Sequence, residues 1–248
     1  MQEFDVTGAD GPLRCTLLEP PGDMRPGLLL TFAMTRQAAL SEHPQSITAL
    51  AFLAAGRRVV SFDLPCHGER IGRWGAGIDG MAAALAGGDD PFVRFVDDGM
   101  RVIDECLRRG LNAGGPVCAA GVSRAGYCVL RLAAADRRIA RVAGLAPVTD
   151  WRVLHEFHTV RETAELAALT LDGYAAALAG RPVFLAIGNA DARVGTACCV
   201  RFAQWLLAAE AQAGVEHSQQ QLHVVQSAGH ALPDVWRYAG AQFLVAAG

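Results

Sequence analysis

Apolar and polar residues alternate over the first 20 positions, on either side of the turn Gly8-Ala9-Asp10-Gly11-Pro12. A period of two puts successive side chains on opposite faces, so this stretch predicts an antiparallel hairpin. Pro20, Pro21, Gly22 and Pro26 end it. From there the pattern changes to short, continuous apolar runs separated by helix-length amphipathic stretches. The runs are GLLLTFAM (27–34), RRVVSFDL (57–64), PVCAAGV (116–122), RVAGLAPV (141–148), RPVFLAIG (181–188) and QLHVVQS (221–227). The intervening helices are expected over 44–55, 91–109, 124–135, 196–213 and 233–246. Strands that are apolar throughout, rather than alternating, are buried on both faces, as parallel strands are when helices cover them.

The pattern therefore predicts an α/β fold with an eight-stranded, mostly parallel sheet flanked by helices. Two segments fit the alternation poorly. Residues 66–90 are glycine-rich and read as a long excursion, and about 151–179 reads as a small helical cap insertion between two strands. Long excursions in a compact domain are commonly functional.

With 248 residues, 52% of them apolar, the chain has the material for one core, and residues 1–248 are expected to form a single domain. All 22 basic residues are arginine, which excludes a P-loop lysine, a Schiff base and a Ser-Lys dyad. A net charge of −3 and scattered arginines give no pull toward nucleic acid. The longest apolar runs, such as 28–34 and 49–55, fall short of the ~20 residues that span a membrane. The start MQEFDVTGAD has early acids and no apolar segment, so no secretory leader is expected. Seven cysteines without a CxxC pair, mostly inside apolar stretches, point to buried thiols, a reducing cytoplasmic compartment and no metal site.

Ligands of open α/β sheets bind beyond the carboxyl ends of the strands. The run 116–122 leads through Gly121-Val122-Ser123-Arg124-Ala125-Gly126 directly into a helix. A serine on so sharp a turn is exposed and strained, with small residues two before and two after it letting the backbone close. The helix also aims its free N–H groups and positive end at the place where an oxyanion forms in acyl transfer. A helix N-cap is the bland alternative for such a serine. The run 181–188 is followed by Asp191, and the run 221–227 by His230. Ser123, Asp191 and His230 thus lie beyond three strand ends in an order that suits a hydrolase.

These pieces, GVSRAG, GNADARVG and SAGHALP, together with DLPCHGER at 63–70, resemble the α/β-hydrolase superfamily, in particular its dienelactone hydrolase and prolyl-oligopeptidase-like esterase branch. The resemblance covers nearly the whole chain. It implies that Ser123 is the nucleophile, His230 the base and then acid, and Asp191 the group that orients the imidazole. Dienelactone hydrolases proper carry cysteine at the nucleophile position, so the serine points to the esterase side. Where many relatives have His-Gly after the first parallel strand, this chain has Phe32-Ala33-Met34-Thr35. The oxyanion hole is then expected from the backbone N–H groups of Met34, with Ala33 as alternative, and Arg124. Met34, Arg36, Trp151 and Phe157 are expected to contact substrate.

Asp150 competes with Asp191 for the acid position, or simply caps the insertion. Arg36 and Arg124 either receive a substrate carboxylate or are solvated. Arg193 is expected to brace the acid loop. His155 and His158, three apart, lack a third ligand for zinc. The sum is a serine hydrolase acting on a small-molecule, ester-like substrate without metal or organic cofactor, as a monomer or homodimer. A thioesterase or small-amide hydrolase, and a non-catalytic binding scaffold, stay open.

Overall fold

The computed structural model describes residues 1–246, so the last two residues of the expected domain lie outside it. Strands β1 (Gln2–Gly8) and β2 (Gly11–Leu18) form the expected antiparallel hairpin, and β2 pairs antiparallel with β4 (Arg58–Phe62). β3 (Leu28–Phe32), β4, β5 (Val117–Val122), β6 (Ile139–Leu145), β7 (Val183–Gly188) and β8 (Gln221–Val225) run parallel. The eight strands lie in the order β1-β2-β4-β3-β5-β6-β7-β8.

The uniform apolarity of the inner strands has its cause in two cores. Leu28, Leu30 and Phe32 of β3 enter one core, and Leu29 enters the other. β7 splits the same way, with Val183, Leu185 and Ile187 opposed to Phe184 and Ala186. The first core lies under α3 (Gly77–Ala86), α4 (Pro91–Arg108), α5 (Arg124–Ala135) and α8 (Thr196–Gln212). The second lies under α1 (Arg36–Ser41), α2 (Ile47–Ala54) and α9 (Asp234–Val245). Phe32, Phe62 and Phe95 meet with ring centroids 4.8 to 5.3 Å apart, two of the three pairs edge-on. Such pairs add about 0.5–1.5 kcal/mol each beyond area burial.

One expectation needs correction, and one helix is added. The glycine-rich excursion 66–90 contains α3, whose Ile78 and Met81 are buried, so ten of its 25 residues are α-helical. The helix expected over 44–55 is α2, preceded by the separate α1, which Thr35 caps by accepting from the Ala38 N–H at 3.1 Å.

Between β6 and β7 lie a 3-10 turn at Trp151–Val153, another at His155–Val160, α6 (Ala164–Ala168), a third turn at Leu171–Tyr174 and α7 (Ala175–Leu178). Trp151 packs against Phe92 of α4 at 4.5 Å between ring centroids, and against Phe157 and, edge-on, Tyr127 of α5 at 5.0 Å. This insertion is packed into the first core through its aromatic residues. Among the described residues no helix is long and apolar enough to cross a membrane.

Candidate active site

The turn from β5 to α5 holds Ser123 at φ 57° and ψ −118°. A non-glycine residue there is strained by about 1–3 kcal/mol and persists only when its surroundings fix it. Three backbone bonds do so. Ser123 N–H donates to the Leu145 carbonyl at 2.8 Å, and its own carbonyl accepts from Tyr127 at 3.3 Å and Val148 at 3.1 Å. Close packing explains the small residues around it. A Cβ on Gly121 would lie 2.2 Å from the Ala125 carbonyl oxygen, and one on Gly126 would lie 2.8 Å from Pro147 Cβ.

His230 Nε2 lies 2.9 Å from Ser123 Oγ, and His230 Nδ1 lies 2.7 Å from Asp191 Oδ2. The imidazole side chain is 28% exposed and the Asp191 side chain 1%. Asp191 Oδ1 accepts from the backbone N–H groups of Arg193 at 3.0 Å and Val194 at 3.1 Å. Burial acts to raise the Asp191 pKa, but the hydrogen bonds from His230 and these two amides outweigh it, and the carboxyl sits below its ordinary value. Asp191 therefore stays ionised, which favours the tautomer with a proton on Nδ1 and leaves Nε2 free to take one from the serine.

Two residues outside the sequence reading hold these loops in register. The Asn189 Oδ1 accepts from Ser227 N–H at 3.2 Å, tying the acid loop to the histidine loop. Thr196, at the start of α8, donates its hydroxyl to the Gly188 carbonyl at 2.5 Å and accepts from Asp191 N–H at 3.2 Å. Neither had a signal beyond being polar near a strand end.

Asp63, buried after β4, accepts from Arg36 N–H at 2.7 Å, Arg36 Nη1 at 2.7 Å and Glu69 N–H at 2.9 Å. A Cβ on Gly68, at φ 53°, would come within 2.3 Å of Asp63 Oδ2, which is why the loop DLPCHGER carries glycine there. His67 in the same loop presents Nδ1 to the Pro65 carbonyl at 2.8 Å and Nε2 to Arg124 Nη1 at 2.9 Å.

The expected substrate contacts divide. Met34 lies two residues beyond β3 with its side chain partly exposed, and neither Met34 N–H nor Arg124 N–H has a protein acceptor among the described residues. Arg36 is committed to Asp63, Glu69 and Glu3, so its charge is spent inside the protein. Trp151 and Phe157 are fully buried in the aromatic cluster and present no surface to a ligand. Asp150 caps the insertion, accepting from Arg152 N–H at 3.1 Å, and pairs with Arg152 and Arg201. Arg193 braces as expected, and its guanidinium reaches Glu156 on the insertion, at 2.9 Å for the longer contact. A cavity of about 460 Å³ lies between the N-terminal hairpin and residues 65–74, and none of Ser123, Asp191 and His230 lines it.

No family model matches the sequence, and no curated protein matches it. Solved structures do. A cold-adapted esterase from an Arctic intertidal metagenomic library matches with a TM-score of 0.72 at 17% identity, over 99% of this chain and 92% of that one. TT1662 from Thermus thermophilus gives a TM-score of 0.72 at 22% identity, over 98% and 97%. An alpha-beta serine hydrolase homologue from Coxiella burnetii gives 0.61 at 15% identity, over 100% and 97%. With its eight-stranded sheet matched over nearly the full length of each, the chain has the α/β-hydrolase fold.

Proposed function

We propose that the protein is a serine hydrolase of carboxylic esters, working through an acyl-enzyme on Ser123. The observation that carries this reading is the unbroken hydrogen-bonded chain from Ser123 through His230 to Asp191, at 2.9 and 2.7 Å, beginning on a strained turn at a helix N-terminus. Ser123 Oγ attacks the ester carbonyl as His230 Nε2 takes its proton. The oxyanion is held by the N–H groups of Arg124 and Met34. Collapse breaks the bond to the alcohol, which leaves with the proton from His230. Water, deprotonated by the same imidazole, then attacks the acyl-enzyme, and the acid departs as Ser123 regains its proton. Each oxyanion donor is worth on the order of 10²–10³ in rate.

The seven free thiols suit a reducing compartment such as the cytoplasm. The test is a fluorophosphonate probe read by mass spectrometry. Phosphonylation of Ser123 in the wild type and none in Ser123→Ala is expected. Folded wild-type protein that stays unmodified would overturn the proposal.

A further inference from the structure

Arg124, directly after the nucleophile, has a guanidinium that no carboxylate neutralises. Arg36, Arg70, Arg193 and Arg201 each pair with an acid, whereas Arg124 forms no ion pair among the described residues. Its side-chain partner is the His67 ring, at 2.9 Å. That ring is neutral. Burial lowers its pKa, the adjacent Arg124 charge works in the same direction, and Nδ1–H is donated to the Pro65 carbonyl, which leaves Nε2 as an acceptor. His67 thus holds the guanidinium in place without cancelling its charge.

The Nε of Arg124 is buried without an acceptor and the guanidinium is partly desolvated, so the bond from Nη1 to His67 is what holds it. The acid whose charge most favours it, Glu156, is already gripped by Arg193. A half-buried cation with no counter-ion is unfavourable in the free protein. It becomes favourable when a ligand brings the anion. Its Nη2 has no partner among the described residues and, unlike Nε, is not buried, so it can donate a charge-assisted hydrogen bond to a carboxylate oxygen. A phosphate dianion would call for a second free cation, and Arg193 is taken.

We infer that Arg124 is a specificity-determining residue that takes a carboxylate on the substrate, so that the preferred esters are anionic ones such as hemiesters of dicarboxylic acids. This rests on the proposed hydrolase reading of the same site. Its neutral holder, His67, is a positioning residue.

The test compares kcat/KM for charged and neutral partners. One pair is mono-p-nitrophenyl glutarate against p-nitrophenyl hexanoate, with the carboxylate on the acyl side. The other is 4-acetoxybenzoate against its methyl ester, with the carboxylate on the alcohol side. Wild type is expected to favour the charged member of at least one pair by about 10- to 100-fold, the worth of a charge-assisted bond. Arg124→Met should bring that ratio to about one, and Arg124→Lys should keep part of it. A ratio cancels any general loss from disturbing the Arg124 backbone. Ratios near one in wild type, which need no variant to fold, would overturn the inference, as would a preference that Arg124→Met leaves intact. If no ester is hydrolysed and Ser123 resists the fluorophosphonate, the hydrolase reading fails by itself. Glutarate titrated into wild type and Arg124→Met by NMR then judges the anion site: binding that the variant loses upholds it, and absence of binding sinks it.

Discussion

The geometry of single residues sets the sharpest expectations. Ser123→Ala and His230→Ala should each lower turnover by roughly 10⁶, because the side chains act as one unit, and Ser123→Ala should leave the unfolding free energy within about 0.5 kcal/mol. Gly68→Ala should behave in the opposite manner. Its Cβ would fall 2.3 Å from the Asp63 carboxylate at a φ that disfavours side chains, so a loss of about 2 kcal/mol or more in urea unfolding is expected. Asp191 links chemistry to pH. Its pKa is lowered on folding, so its stabilising contribution is complete above the unfolded carboxylate range, near 4, and is lost as pH falls through the lower native value. The gap in urea midpoint between wild type and Asp191→Asn should therefore be full at pH 7 and shrink well below pH 4. A gap that stays constant over that range would count against the Asp191 account. In turnover the same variant should lose on the order of 10⁴, through the wrong imidazole tautomer.

At the level of elements, the strands were the most legible part of the sequence. Burial on both sheet faces disfavours polar side chains, so β3, β4, β5, β6 and β7 read as mostly apolar runs, in which Thr31 and Ser61 are buried exceptions. The placement of Ser123, Asp191 and His230 beyond β5, β7 and β8, where they meet, was legible too. The helix α3 was not, because Gly77, Gly80 and a run of alanines give neither a strong periodicity nor a side-chain cap. Periodicity also misled at Trp151 and Phe157. It reports that a side chain is buried, and it is silent on whether the burial is against protein or against a ligand. Arg124 illustrates the same limit from the polar side. Its pairing with His67 joins segments 57 residues apart, which no local pattern encodes. One tertiary tie is open to test. The buried Asp98 of α4 accepts from Ala9 N–H at 2.7 Å and Arg70 Nη2 at 2.5 Å, fastening the hairpin β1–β2 to the helix. Asp98→Ala strands the Arg70 charge and should cost about 3 kcal/mol, with early hydrogen exchange in β1 as its local sign.

Taken whole, the molecule gathers its proposed catalytic residues at one edge of the sheet and buries most of its thiols elsewhere. Six of its seven thiols are buried, and desolvation holds Cys106, Cys118, Cys128 and Cys199 at about 12. Iodoacetamide should accordingly modify at most the partly exposed Cys198 in the native protein, leaving turnover intact, and all seven only in denaturant; counting adducts by mass checks this. The sheet order bears on durability in another way. Ser123 and Asp191 leave strands with a neighbour on each side, while His230 leaves β8, the outermost strand, whose Leu222 and Val224 face solvent. The proposed proton-transfer group is thus moored to the part of the sheet with the fewest bonds to break. Heating should detach it while the other seven strands are still paired, so the catalyst is expected to fail at a lower temperature than the fold.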